Sequence, residues 1–239
     1  MFFIFQTFTK TFNKIHQSIN NCSHLIAFLI ENIVYFQMDD VREEVYMENI
    51  EKYRKADYEI DSIYIKRWSP RAFSDKKVTE EVLFSLFEAA RWAPSAANIQ
   101  PWHFIFARSE KDRKKFLSFI NDGNVIWCDK APVLVAVISK ETTESGRMNS
   151  SHAFDTGTAW GYLSLEAARK GLIAHAMGGF DHQKAKEVLQ LPDNYTVHAM
   201  IAIGYQGSKD MLAEQLKERE KPSTRKKINE FISEGSFKE

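Results

Sequence analysis

Residues 132–139, PVLVAVIS, form an unbroken, largely β-branched apolar run between Lys130 and Lys140. A half-exposed strand alternates apolar with polar residues, so a run with no polar positions reads as a strand covered on both faces. The whole apolar stretch, Ala131 to Ile138, is far shorter than the roughly 18 residues of a membrane span. The chain must therefore supply strands to pair with this one and helices to cover it. Trp102, Phe104 and Phe106 alternate with His103, Ile105 and Ala107 in a second strand, and Leu172–Ala176 and Thr196–Ile203 read as two more. Thr79 caps a helix over 80–91 whose apolar stripe is Val82, Leu83, Leu86, Phe87 and Ala90; Pro94 ends it near Ala93. A long helix opens at Ser150 or Ser151 and runs to Lys170, closed by Gly171, and Asp181 opens another. The pattern is α+β, a sheet covered by long helices.

Along the long helix Ala153, Gly157, Gly161 and Ser164 place small side chains on one stripe. Glycine inside a helix costs about 0.5–1 kcal/mol relative to alanine, so the pair implies close approach of another helix, from this chain or from a second copy. Charge excludes other classes: 32 Lys+Arg balance 32 Asp+Glu, which disfavours a general nucleic-acid binder. Cys22 and Cys128 are too far apart for metal-ligand spacing, and a disulfide framework is not expected, as fits a reducing cytosol. Residues 1–37 differ from the rest, with seven of the 18 phenylalanines, no acid before Glu31 and no arginine. They fit neither a secretory signal nor a transit peptide. They are expected to be a dispensable extension, with Met38 or Met47 as the working start and 38–239 as one catalytic domain.

Four groups of residues carry chemistry. Arg67, Ser69 and Arg71 lie on one side of an extended segment, RWSPRAF, and suit a phosphate dianion; taken alone, the triplet is better read as a solvated stripe pairing with Asp75 or Glu80. Pro94, Ser95, Asn98, Gln100, Pro101 and Trp102 form a loop between helix and strand that offers donors and acceptors to a planar heterocycle, or merely satisfies its own turn. Met177, Gly178 and Gly179 could let a ligand ring lie against bare backbone, or make a tight turn; GxGxxG is absent. Arg225 sits in the basic run Lys221–Lys227, by itself a solvated tail.

In this order, the four groups resemble the nitroreductase family of FMN-dependent oxidoreductases. The resemblance spans about residues 60 to 236 and is most specific in EAARWAPSAANIQPWHF, Glu88 to Phe104. It implies a nitroreductase-like fold with a central, mostly antiparallel sheet flanked by long helices in an intertwined homodimer. It implies FMN as cofactor, NAD(P)H as electron donor, and a ping-pong passage of hydride to a small oxidant such as a nitroaromatic or a quinone. Arg67 and Ser69 would hold the phosphate and ribityl chain, Arg71 the N1 and C2 carbonyl edge, and Arg225 would close over the phosphate. Pro94, Ser95, Asn98 and Gln100 would contribute to a flavin bound by the partner subunit, Asn124 to the ribityl or ring edge, and Met177, Gly178 and Gly179 would offer backbone to N5 and O4. Some members carry a glutamate where this chain has Gly178. No general acid or base and no metal is expected, and His103, His175, His198 and Asp155 read as structural, the last making a local bond in its helix. A flavin-storage protein without turnover is the alternative. A cytoplasmic protein that touches neither nucleic acid nor membrane is the expected setting.

Overall fold

The computed structural model describes Ile50 and residues 52–238. The chain divides into two compact units, Met1–Lys52 and Tyr53–Glu239, and every element below belongs to the second. The extension expected at residues 1–37 lies outside the described residues.

The elements run α1 Ile63–Lys66, α2 Glu80–Arg91, β1 Trp102–Ala107, α3 Glu110–Leu117, α4 Asp122–Cys128, β2 Val133–Lys140, α5 His152–Arg169, β3 Leu172–Met177, α6 His182–Val188, β4 Tyr195–Tyr205 and α7 Glu214–Lys217. The four strands make one antiparallel sheet in the order β1-β2-β4-β3. The apolar run is β2, paired on both edges and buried on both faces. Leu134, Ala136 and Ile138 enter one core with Phe116, Phe119 and Trp127. Val133, Val135 and Val137 enter the other with Leu83, Leu86 and Ala90 of α2 and Ala159, Leu163 and Ala167 of α5. Each leucine buried this way contributes about 1.5–3 kcal/mol.

Among the described residues, only the second face carries long helices. The first is covered by the short α3, α4 and α6, of which the sequence reading had only the one opened by Asp181. The cap of α2 forms as expected, Thr79 accepting from the Val82 N–H at 3.3 Å, and Gly171 closes α5 at φ 69°. Ser151 stands at the start of α5 but does not cap it, because its hydroxyl donates to Asn149 Oδ1 at 2.9 Å.

At Ala153 and Gly157 the small-residue stripe of α5 is exposed among the described residues, whereas Ser164 of the same stripe is buried. Helix α2 packs on a different stripe, Ala159, Leu163 and Ala167. A Cβ built on Gly157 or Gly161 would meet nothing within 4 Å.

The β2–β4 register shifts between Val137 and Ile138, leaving His198 as the extra residue of a bulge. The bulge aims His198 Nε2 at Ser139 Oγ, 2.6 Å away, and His152 Nδ1 meets the same hydroxyl at 2.7 Å. Burial, followed by the nearby His152, lowers the pKa of His198.

Candidate functional site

The RWSPRAF segment leaves α1 extended and then runs beside the end of β4. Ser74 N–H donates to Tyr205 O and Gly207 N–H to Ala72 O, both at 2.9 Å, and these bonds fix the direction of the side chains before them. Arg67 Nη1 donates to Ser69 Oγ at 3.3 Å, so the first guanidinium and the hydroxyl share one patch. Arg54 supports the segment from below: its Nη1 donates to the carbonyls of Ile65 and Arg67, and its Nε donates to Ser223 O in the tail.

Arg71 lies against the ring of Trp127, 6.0 Å from its centroid, at the outer limit of a cation–π contact. Its acid partner is Glu220, at 3.8 Å, rather than Asp75 or Glu80; Glu80 pairs with Arg108 instead. Burial lowers the pKa of Arg71, with Glu220 opposing the shift and Arg219 adding to it.

Trp127 sits on α4, whose Asn124 reaches the end of β3. Asn124 Nδ2 donates to Gly179 O at 3.1 Å, and a Cβ on Gly179 would stand 2.6 Å from that nitrogen, which accounts for glycine there. Met177 is buried, whereas Gly178 exposes its backbone, with nothing within 4 Å of where a Cβ would be. Arg71, α4 and the glycine pair thus form one continuous wall.

His175 completes the wall from behind. It shares a β3 face with Ile173 and Met177, packs on Trp127 at a 32° tilt with centroids 4.5 Å apart, and binds Pro70 O through Nδ1 at 2.8 Å. A carbonyl only accepts, so Nδ1 carries the proton. Burial, and after it the charges of Arg71 and Arg67, push its pKa down to about 4, against the opposing Pro70 bond. The folded chain therefore binds fewer protons than the unfolded one between about pH 4 and 6.5, and stability falls as pH drops through that window. The expected loss is about 1–3 kcal/mol, and His175→Gln should remove it, as urea midpoints of both proteins at pH 4.5 and pH 7 would reveal.

The loop after α2 forms a second cluster. Ala97, Asn98 and Gln100 take φ of 49°, 55° and 51°. Left-handed backbone at residues other than glycine costs of order 1 kcal/mol or more apiece, so the loop needs an external anchor. That anchor is Asp155 of α5, 2% exposed, whose Oδ2 accepts from the Ser95 hydroxyl at 2.7 Å and from the Ala96 N–H at 3.0 Å. Ser95 Oγ in turn accepts from the Gln100 N–H at 2.8 Å.

The local bond expected of Asp155 is thus a contact across 60 residues. The signal was present: Asp155, Ala159, Leu163 and Ala167 recur every four residues, and a carboxylate on a buried apolar stripe requires a distant partner.

Arg67, Ser69, Arg71, Asn124, Met177, Gly178 and Gly179 belong to the first cluster. The side chains of Ser95, Asn98 and Gln100 bond within the loop and to Asp155, among the described residues, and Pro94 is exposed beside them. Arg225 is exposed and donates to Ser223 Oγ and Thr224 O of its own turn; its tail joins the first cluster through Arg54. Among the described residues no group of three or more metal-binding side chains gathers, and no helix is long and apolar enough to cross a membrane.

A model of the nitroreductase family matches residues 64–126 and 120–205. A Rhodopseudomonas palustris protein provisionally named NADH dehydrogenase/NAD(P)H nitroreductase is 28% identical over 152 residues, covering 53% of this chain and 74% of its own. One of the same provisional name from Xanthomonas oryzae pv. oryzae is 29% identical over 167 residues, covering 61% and 84%. Among solved structures, an oxidoreductase containing FMN is 38% identical with a TM-score of 0.74, over 77% of this chain and 96% of that one. A Clostridium acetobutylicum protein provisionally named NADH oxidase follows at 27% and 0.57, over 73% and 99%.

Proposed function

Because the chain belongs to the nitroreductase family, we propose that it is an FMN-dependent oxidoreductase that takes electrons from NADH or NADPH and delivers them to a small organic oxidant, such as a nitroaromatic or a quinone. The observation that carries this reading is the wall itself: two guanidiniums and a hydroxyl on one extended segment, joined through α4 to the exposed backbone of Gly178.

The residues fit the cofactor. Arg67 and Ser69 offer charge-assisted donors to a phosphate dianion, each worth about 1.5–3 kcal/mol when a charge is involved. Arg71 supplies the cation for the N1 and C2 carbonyl edge, backed by Trp127 so that it has little room to withdraw. Gly178 leaves open space where a ring can lie against the chain, and Asn124 holds the neighbouring Gly179 in place. When bound, FMN supplies two-electron chemistry at N5, taking hydride from the nicotinamide and passing it on. The protein binds and orients; no side chain is assigned to proton transfer. Arg225 would turn from its own loop to the phosphate. A nicotinamide that leaves before the oxidant enters gives parallel double-reciprocal lines when both substrates are varied; intersecting lines would rule out a shared cleft used in turn.

The second cluster serves the flavin of a partner subunit in this reading. The exposed stripe at Ala153 and Gly157, with Phe154 next to it 79% exposed, is the surface on which a second copy would pack. Gly157→Leu has open space within its own protomer, so it should leave the protomer folded while dimer and bound FMN are lost together. Light scattering coupled to the absorbance of bound flavin measures both, and a monomer fully loaded with FMN would exclude the dimer site.

A further inference from the structure

Among the described residues the acid paired with Arg71 is Glu220, whose side chain is 2% exposed. It lies beyond α7, 149 residues from Arg71, on a part of the chain with no sequence signature. Its two oxygens do different things. Oε1 accepts from the backbone N–H groups of Arg71 at 2.7 Å and Ala72 at 2.9 Å, the bonding of a carboxylate used to fix a main chain. Oε2 is buried, has no hydrogen-bond partner among the described residues and faces Arg71 Nη1 at 3.8 Å.

A buried carboxylate oxygen without a donor is costly. A glutamine would satisfy the same two N–H groups through its carbonyl oxygen. What the carboxylate adds is negative charge, placed against the guanidinium assigned to the flavin's N1 edge.

We propose that Glu220 is a positioning residue for Arg71: Oε1 fixes the backbone that carries the arginine, while Oε2 restrains the guanidinium, and this restraint sets how strongly the arginine favours the reduced flavin ring. The inference rests on the reading of Arg71 given above. Neutralising Glu220 releases the guanidinium from Oε2, and its charge, free to approach the ring, favours the reduced form, which is the more negative one. Removing the anchor entirely frees the Arg71 backbone and weakens binding of both forms.

The test uses the FMN-loaded protein, with midpoint potentials from dye equilibration and FMN affinities from fluorescence quenching. Glu220→Gln should favour reduced over oxidised FMN by about tenfold relative to the parent, a rise of about 30 mV for a two-electron couple. In an Arg71→Gln background the same change should have less than half that effect. Glu220→Asp keeps the charge but shortens its reach, and should loosen FMN severalfold without raising the midpoint.

A midpoint that does not move in Glu220→Gln, or that falls as it would after simple loosening of the fold, overturns the proposal. So does an equal rise with and without Arg71, which would make Glu220 a direct source of field and not a positioning residue. A midpoint raised as much by Asp as by Gln overturns it as well. If the parent takes up no FMN at all, the reading of the site fails first, and that outcome is distinct from each of these.

Discussion

Asp155→Ala is expected to lose about 2–4 kcal/mol of stability, roughly 5–15 °C in melting temperature for a domain of this size, and to lose bound FMN as well. The carboxylate is the shared acceptor of the Ser95 hydroxyl and the Ala96 N–H, at 2.7 and 3.0 Å. Without it those donors are unmatched, and only bonds within the loop remain to offset the left-handed backbone of Ala97, Asn98 and Gln100. Asp155→Asn retains one acceptor oxygen of nearly the same shape and should lose less than half as much. Thermal melts and flavin content of the two variants measure this together. An Asp155→Ala protein that melts with the parent and keeps its flavin would mean that the loop holds itself.

Arg67 and Arg71 are expected to fail in different ways, because the reading places them at opposite ends of one flavin. Arg67→Ala removes a charge-assisted phosphate contact of about 1.5–3 kcal/mol, which weakens FMN binding by roughly ten- to 150-fold while leaving the potential nearly unchanged. Arg71→Gln removes the cation at the N1 edge, so the midpoint potential falls, by about 30 mV for each 1.4 kcal/mol of stabilisation lost by the reduced ring relative to the oxidised one. If Arg67→Ala shifts the potential more than Arg71→Gln does, the cofactor lies the other way round.

The parts of this protein written in local pattern were legible from its sequence. The unbroken run of β2, the apolar stripe of α2 and the glycine that closes α5 each follow from periodicity or backbone sterics over a few residues. Helix α3, EKDRKKFL, was missed because it buries only Phe116 and so has almost no apolar stripe; its signal was Ser109 accepting from the Asp112 N–H. Helix α4 is seven residues long, too short for periodicity to declare itself, yet it carries both Asn124 and Trp127.

The site was legible as residue types in order, and much less as contacts. The pairs that shape it, Ser95 with Asp155 and Arg71 with Glu220, span 60 and 149 residues, and only the folded sheet brings such partners together. His175 was read as structural, and it is the neutral backing of the wall that bears Arg71.

The most direct test is anaerobic. Purified protein supplied with FMN should hold about one flavin per chain, and NADH or NADPH, added with no oxidant present, should bleach its yellow colour. A quinone or a nitroaromatic compound added next should restore it. Flavin held at full occupancy that neither nicotinamide bleaches would contradict the enzyme reading and leave a storage protein, and a chain that takes up no FMN would contradict the site.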